Sequence, residues 1–468
     1  MKSSQRLAPD SSAADNRFGA LFAGLFGAFL GLSLAKFGNP PIFEKWVTAP
    51  TNGFELVLDC PWPITWAYWL LGATVILGFA VAKRPAVPWW LLLLPACWLT
   101  WQAISGSFSV DPQLSWPTVA HFGACTACFY LGVFCLPPAG RIRWIWPGLF
   151  CGLLVVIAVG WEQHFGGLEQ TRRYFFTYLY PRLKQVPPEY IKKLSSPRIF
   201  STLFYPNALA GGLLLLLPPC LQVIWQQHRR FTPGARFLLI ALIGGSGLAC
   251  LLWSGSKGGW LLMLLLGLLW MLRLPFSPVL KRCLVIAILL VGLAGFFLRY
   301  AGFFEKGATS VSARFDYWQA AIKTTLQHPF TGSGPGTFSI AYQRVKRPES
   351  EMSRLVHNDY LEQASDSGVP GFLLYSAFII ASVILTFPQS ARSSGTIPGP
   401  GPNPRVAADE SKASPVPLPL RFAIWLGVLG WALQSFVEFG LYIPGLVWPA
   451  LAFLGFLVGE QFSRPTAK

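Results

Sequence analysis

The sequence predicts an all-α fold, a polytopic bundle of about 12 transmembrane helices with a large extracytoplasmic helical loop between spans 9 and 10. Of the 468 residues, 53% are hydrophobic and 12% are charged, whereas a soluble domain carries about 25% charged residues. The mean hydropathy is +0.47. The apolar residues are grouped in runs close to the roughly 20 residues that cross a bilayer as a helix.

Twelve apolar runs predict the spans in chain order. They lie near residues 18–36, 64–82, 88–104, 117–136, 144–162, 204–226, 237–253, 258–273, 283–299, 371–388, 420–438 and 443–461. The third and eighth runs are short for a span. The first follows a polar tail, residues 1–17, and is predicted to be a retained span because no cleavable signal pattern is evident. Within the segment 371–468, the Pro-, Gly- and Ser-rich stretch 389–418 predicts a disordered cytoplasmic linker.

Lys and Arg in the short connections predict the orientation. With a cytoplasmic N-terminus, the even-numbered short connections are cytoplasmic and hold ten basic residues, namely Lys83, Arg84, Arg141, Arg143, Arg229, Arg230, Arg236, Arg273, Lys281 and Arg282. The short connections opposite hold only Lys45 and Lys257. Cytoplasmic loops are enriched in Lys and Arg, which supports this orientation. It places two long loops outside, namely 163–203 within segment 18–299 and 300–370 after it.

Both long outer loops are basic, against this trend. They contain Arg172, Arg173, Arg182, Lys184, Lys192, Lys193 and Arg198, and then Lys306, Arg314, Lys323, Arg344, Lys346, Arg347 and Arg354. Long loops translocate despite their charge, and an anionic substrate at the outer face explains the excess. The net charge of +17 is therefore assigned to loops near membrane lipids and not to nucleic-acid binding.

The loop 300–370 is expected to carry the chemistry, and it begins with a helix and a glycine-rich turn. Residues 311–327 predict an amphipathic helix with apolar side chains at helical spacing, namely Phe315, Trp318, Ala321 and Ile322. In the turn 328–338, the backbone N–H groups at Gly334 and Gly336 could approach an anion closely. A plain structural turn between two helices is the alternative.

The third part of this loop, roughly 352–367, is predicted to be a helix that holds His357. On such a helix His357, Leu361 and Ala364 share one face. An imidazole at the mouth of a membrane protein is well placed to move a proton for a substrate at the lipid surface. A purely structural histidine is the alternative for this residue taken alone.

Four segments, in this order, resemble the O-antigen ligase and polymerase superfamily of polytopic glycosyltransferases. They are residues 196–201 with 205–210, residues 254–259, residues 314–318 with the turn 328–338, and residues 357–371. The last reads His-Asn, nine residues, Gly, two residues, Gly. The sequence departs from the family at Lys257, where the family has arginine. Lysine keeps the charge but loses the bidentate fork.

The resemblance implies glycan transfer from an undecaprenyl-pyrophosphate-linked donor at the outer face of the bacterial inner membrane, without metal or cofactor. It implies catalytic roles for His357, Arg314 and Arg198. It assigns the remaining motif positions to substrate binding, namely Lys257, Asn207, Ser256, Gly334, Gly336 and Asn358. Structural alternatives are a membrane anchor for Arg198, a solvated charge for Arg314 and a helix-capping role for Asn207. Glu438 is expected to pair with a basic loop residue and to have no catalytic role.

Three activities share this predicted catalytic centre and differ in the acceptor. The His-Asn pattern favours an O-antigen ligase that uses lipid A–core. The alternatives are a polysaccharide polymerase, whose acceptor is a growing glycan, and a ligase that glycosylates a protein hydroxyl. From another class, a glycolipid transporter would place charges at the membrane midplane, whereas here the charges cluster in the outer loops.

Overall fold

The computed structural model describes residues 11–41, 47–58, 61–174, 176–177, 195–305, 309–348, 350–388 and 416–463. The regular elements within these ranges are helices, so the all-α prediction is confirmed. The α-helices are α1 Ser11–Lys36, α2 Gly53–Leu58, α3 Ile64–Val81, α4 Trp89–Ser107, α5 Pro112–Cys135, α6 Trp146–Glu162, α7 Leu168–Tyr174, α8 Pro206–Gln226, α9 Pro233–Ser254, α10 Lys257–Arg273, α11 Pro278–Glu305, α12 Thr309–Gln327, α13 Phe338–Val345, α14 Asp359–Leu385, α15 Leu418–Gln434 and α16 Pro444–Phe462. Most of the predicted linker, residues 389–415, lies outside the described residues, as do residues 1–10 of the tail and 178–194 of the first long loop.

Each of the twelve predicted apolar runs lies on a helix. Nine helices in the described part of the chain are long and apolar enough to cross a membrane, namely α1, α3, α5, α6, α8, α9, α11, α14 and α16. Helix α15 is apolar but only 17 residues long, and α4 and α10 carry the two runs judged short. A polytopic bundle is thus confirmed, while the count of twelve spans stays a prediction.

Close helix crossings in this bundle depend on glycine. Gly27 and Gly31 of α1 face Gly148 and Gly152 of α6, and a Cβ atom on any of the four would overlap the backbone of the other helix or of its glycines. In a lipid solvent, helices associate through such close backbone packing because apolar side chains gain little by leaving lipid. The α1–α6 pair is therefore fixed by shape.

Helix packing brings together elements that are distant in the chain. Helix α16 packs along α5, α15 along α8, and α4 along α14, while α10 contacts α8, α15 and α11. Helices α12 and α13 pack on each other and on α14. Their shared apolar cluster is small, and it is built from Tyr317, Ala321, Phe338, Tyr342 and Val356.

Helix α14 joins a buried polar half to an apolar half. The two halves meet at Ser367 and Gly368, where Gly368 has a φ of +70°. Before this kink the carboxyl side chains of Asp359, Glu362 and Asp366 are fully buried. The run predicted at 371–388 therefore belongs to a helix that begins twelve residues earlier, because polar residues are tolerated where other protein, and not lipid, surrounds them.

The glycine-rich turn is held on the polar half of α14. The Gly334 N–H donates to the Asp366 carbonyl oxygen at 2.8 Å, and the Gly336 N–H donates to Asp366 Oδ2 at 2.6 Å. Both glycines have positive φ, and a Cβ atom would strike Ser109 or Thr118. Asp366 occupies both N–H groups in this structure, so an anion role for Gly334 and Gly336 stays a prediction.

Helix α12 confirms the predicted helix over 311–327. Ala321 is buried, together with Tyr317, Ala320 and Thr324. Phe315 and Ile322 instead lie on the exposed side, and Trp318 is partly buried. The sequence contains two apolar stripes on this helix, and the pattern alone did not indicate which one faces the protein.

Candidate active site

Glu438 is the centre of a polar cluster at one end of the bundle. The predicted span 420–438 is too long, since α15 ends at Gln434 and Glu438 lies in the connection to α16. Its Oε1 accepts hydrogen bonds from Arg314 Nη2 and Asn207 Nδ2. Its Oε2 lies 3.3 Å from His357 Nδ1. One buried carboxylate thus joins α8, α12 and the segment before α14.

Arg198 joins the cluster through Asn207. Its Nη2 donates to Asn207 Oδ1 at 2.8 Å, and its Nε donates to the Ser254 carbonyl oxygen at 2.7 Å. The segment that holds Arg198 is itself fixed, because Gln163 Oε1 accepts from the N–H groups of Phe200 and Ser201. These bonds orient a half-buried guanidinium, which a membrane-anchoring arginine would not need.

His357 does not lie on a helix, contrary to the prediction for 352–367. It has a φ of +56°, and the helix begins two residues later at Asp359. The Asn358 side chain accepts from the Leu361 N–H at 3.1 Å, which is the bond of a helix N-cap. A left-handed conformation is costly for a residue other than glycine and persists where surrounding contacts enforce it. The predicted shared face of His357 with Leu361 and Ala364 is therefore wrong.

Three aromatic rings surround the imidazole of His357. The ring of Tyr317 stacks on it with centroids 5.8 Å apart, that of Phe439 meets it edge-on at 4.9 Å, and that of Tyr205 lies at 5.9 Å. Aromatic faces attract a cation, and Glu438 supplies a negative charge at Nδ1. These contacts fix the orientation of the imidazole, and only 16% of the His357 side chain remains exposed.

The charges of the cluster keep Glu438 ionised. Burial alone would raise the pKa of Glu438, but the hydrogen bond from His357 and the charge of Arg314 outweigh it and place the pKa below its usual value. Partial burial, with repulsion by Arg198, Arg314 and Arg299, lowers the pKa of Lys257 to about 8. Cations therefore outnumber the carboxylate they surround, and the site favours an anion.

The structure brings together four of the predicted residues, Arg198, Asn207, Arg314 and His357. Lys257 is near enough to be repelled by the arginines, and its ammonium lies 5.0 Å from the centre of the Tyr300 ring. Two other predicted substrate residues are helix caps instead. Ser256 caps α10 by accepting from the Gly259 N–H at 3.2 Å, and Asn358 caps α14. Their local contacts explain them without a ligand.

Sequence reasoning undervalued Glu438 and missed the three aromatic residues. The expectation that Glu438 pairs with a basic loop residue is confirmed by Arg314. A lone carboxylate directly after an apolar run, on the side where the loops are basic, was the signal available. No periodicity indicates that Tyr205, Tyr317 and Phe439 converge, because they come from three separate segments.

The geometry assigns distinct chemical roles to these groups. With Nδ1–H donating to Glu438, Nε2 of His357 is left as the acceptor for a proton. This assignment of the tautomer follows from the hydrogen bond. The guanidinium groups of Arg198 and Arg314 offer fixed donors of the kind that bind phosphate. The arrangement can hold an anionic group beside a base.

Fold and site together define a polytopic membrane protein with a cationic, histidine-containing site at one end of its bundle. Residues 238–376 match the family described as O-antigen ligase. This stretch includes Lys257, Arg314 and His357. This match supports the O-antigen ligase superfamily that the four motifs indicated. It is also similar to an uncharacterized protein of Haemophilus influenzae, 28% identical over 153 residues, which cover 28% of this chain and 38% of that protein.

Proposed function

We propose that the protein transfers a glycan from an undecaprenyl-pyrophosphate carrier to an acceptor hydroxyl at the periplasmic face of the bacterial inner membrane. The observation that carries this proposal is the contact of one carboxylate, Glu438, with both Arg314 and His357. A cation suited to a diphosphate is thereby held beside a base suited to a hydroxyl. The match of residues 238–376 to the family described as O-antigen ligase supports the same class of reaction.

The donor diphosphate would bind to Arg314 and Arg198, with Lys257 as a third cation. Arg198 and Arg314 are already oriented by Asn207 and Glu438, so little side-chain freedom is lost when the anion arrives. Preorganised donors of this kind stabilise charge as it develops on a leaving group. We assign the counter-charge in this step to these side chains, and the proposal includes no metal or cofactor.

His357 would act as the general base. The acceptor oxygen forms a bond to the anomeric carbon while the bond from that carbon to the diphosphate oxygen breaks. The electron pair leaves on the diphosphate, and the acceptor proton passes to Nε2 of His357. Attack in line with the leaving group inverts the anomeric carbon. Glu438 and the aromatic rings stabilise the resulting imidazolium, the part that the buried aspartate plays in serine proteases.

The acceptor that we favour is lipid A–core, which makes the protein an O-antigen ligase. The His-Asn pattern at residues 357–371 supports this choice. A polymerase would use the same donor site with a growing glycan as acceptor. A protein O-oligosaccharyltransferase would use a protein hydroxyl as acceptor. A transporter would move the donor without making a bond.

The test uses purified protein with a lipid-diphosphate-linked oligosaccharide, with and without lipid A–core, read on a glycan gel. A single shift that requires lipid A–core supports ligation. A ladder that forms from the donor alone would instead assign the same centre to polymerisation. If donor is consumed with neither acceptor but with an added periplasmic protein, the acceptor is a protein. The transferase proposal would be overturned if intact donor were recovered under all conditions while donor moved across the membrane of proteoliposomes.

A further inference from the structure

Helix α12 has a second apolar stripe that faces away from the protein. Its members recur at spacings of three or four residues along one side, namely Val311, Phe315, Trp318, Ile322 and Leu326. Leu326 is 76% exposed and Phe315 60% exposed. The opposite side of the same helix, with Tyr317 and Ala320, belongs to the apolar cluster that α12 shares with α13. At 1.5 Å per residue the stripe is about 22 Å long.

An uncovered stripe of this size is unusual on a surface that faces water. Contiguous apolar patches mark contact with another molecule or with a membrane. Polar and charged residues flank the stripe, with Lys323 and Gln327 exposed beside it. A helix with an apolar stripe, aromatic residues and a basic flank is the kind that lies in the headgroup region of a bilayer.

The length of the chain before α12 limits where the helix can lie. Helix α11 contains a membrane-crossing stretch, Pro278–Gly302, and α12 begins at Thr309. From Glu305 to Thr309 the chain reaches at most about 14 Å, whatever path it takes. The headgroup region is about 5–8 Å thick on each side of the hydrocarbon. The start of α12 therefore lies close to the end of α11, within reach of the headgroup region.

Exposed apolar side chains occur on both α11 and α12. Helix α11 presents Val291, Phe297 and Leu298 outward, and α12 continues with Phe315 and Leu326. Only 17% of the candidate span in α11 is buried by the protein, so a membrane crossing would place these side chains in lipid. A partner that covers only the stripe of α12 would have to displace lipid at the edge of α11, whereas the bilayer itself covers both.

We propose that α12 lies in the membrane leaflet on the side of the active site, with its Val311–Leu326 stripe buried among lipid chains. Arg314 lies beside this stripe and reaches Glu438 from the same helix. The stripe thus sets the depth of Arg314 at the level of lipid headgroups, where the diphosphate of a lipid carrier lies. This last consequence rests on the proposed function, whereas the seating of the helix does not.

Photocrosslinking in nanodiscs of phosphatidylethanolamine and phosphatidylglycerol tests the seating. Benzoylphenylalanine is placed singly at Phe315, Ile322 or Leu326, and at Lys323 or Gln327 as exposed controls on the same helix. Intact-mass analysis after irradiation should show several times more phospholipid adduct at the three stripe positions than at the controls. Equal adduct at all five positions, or crosslinks from the stripe to the protein's own chain, would overturn the proposal. Catalysis is not needed for either result, so failure of the transferase assignment would leave this measurement valid.

A second variant tests the coupling to the donor. Phe315→Ser combined with Leu326→Ser should raise KM for the full-length carrier in nanodiscs several-fold and leave KM for a short, water-soluble carrier unchanged. Lys323→Ser is the matched control, with no change for either carrier. Loss of activity with both carriers would show that the stripe supports folding of the site and not its depth in the membrane.

Discussion

The Glu438 cluster and the first half of α14 are both buried and polar, and they touch, yet their carboxylates have different partners. Asp359, Glu362 and Asp366 accept hydrogen bonds from the backbone N–H groups of Leu441, Val356 and Gly336. Glu438 accepts from Arg314, Asn207 and His357. A carboxylate served by backbone amides fixes the path of the chain. One served by ionisable side chains controls charge and proton position.

This difference separates the scaffold from the chemistry. The α14 carboxylates hold the glycine-rich turn and the connection before α16, which in turn carries Glu438. The site depends on these carboxyl groups for its geometry, but they do not act on a substrate through His357. Three perturbations follow, ordered by the size of the expected effect.

The largest effect is expected for His357→Ala. Loss of a general base lowers kcat by about 10²–10⁴-fold, and the fold should persist because the side chain is partly exposed. Turnover of lipid-linked donor by purified protein measures it. His328→Ala is the control, since His328 is exposed on the glycine-rich turn, and it should retain full activity. A His357→Ala protein with normal kcat would move the proton-transfer role out of this cluster.

A structural effect is expected for Gly334→Ala. A left-handed backbone with a side chain, plus overlap with Ser109, should destabilise the protein by about 2–5 kcal/mol. The thermal midpoint in detergent measures this, and the folded fraction should keep its kcat. Gly166→Ala is the matched control, because Gly166 also has positive φ but open space around it, so only the backbone cost remains. A stable Gly334→Ala protein with a raised donor KM would return the turn to substrate binding.

The smallest effect concerns Lys257 and pH. The pKa of its ammonium is lowered to about 8, so its charge is present at pH 7 and is lost as the pH rises through 8. Loss of one charged contact of about 1 kcal/mol raises KM for an anionic donor roughly fivefold between pH 7 and pH 9. Lys257→Arg should keep a flat KM over this range, because arginine stays charged. Parallel rises in both proteins would exclude Lys257 as the titrating group.

Most helices could be predicted from the sequence because a helix that crosses lipid must be sufficiently long and apolar. Prediction failed where other protein replaced lipid as the surroundings. The helix predicted at 352–367 and the apolar run at 371–388 were not recognised as parts of one helix, because three acidic residues lie in its first half. The pattern of α12 did not show which of its two apolar stripes faces the protein. Such outcomes depend on which other segments pack against a helix in the folded protein. The local sequence of the helix does not specify those segments.

Part of the candidate site could also be predicted from the sequence. Arg198, Arg314 and His357 occupy motif positions that mark them individually, and the structure places them around one carboxylate. Glu438 was harder to recognise because one acidic residue at the end of an apolar run has many ordinary explanations. Substrate binding by Asn358 and Ser256 stays a prediction, because a helix cap and a ligand use the same residue types at the same place.

The polar half of α14 also bears on how the chain is made. At the centre of a bilayer each acidic side chain costs about 2.5–3.5 kcal/mol on insertion, and this half carries Asp359, Glu362 and Asp366. Two of its partners, Leu441 and Tyr442, leave the ribosome after α14. The insertion machinery therefore handles α14 before its acids have all of their partners. The active site can close only after the segment that precedes α16 has been delivered to the membrane.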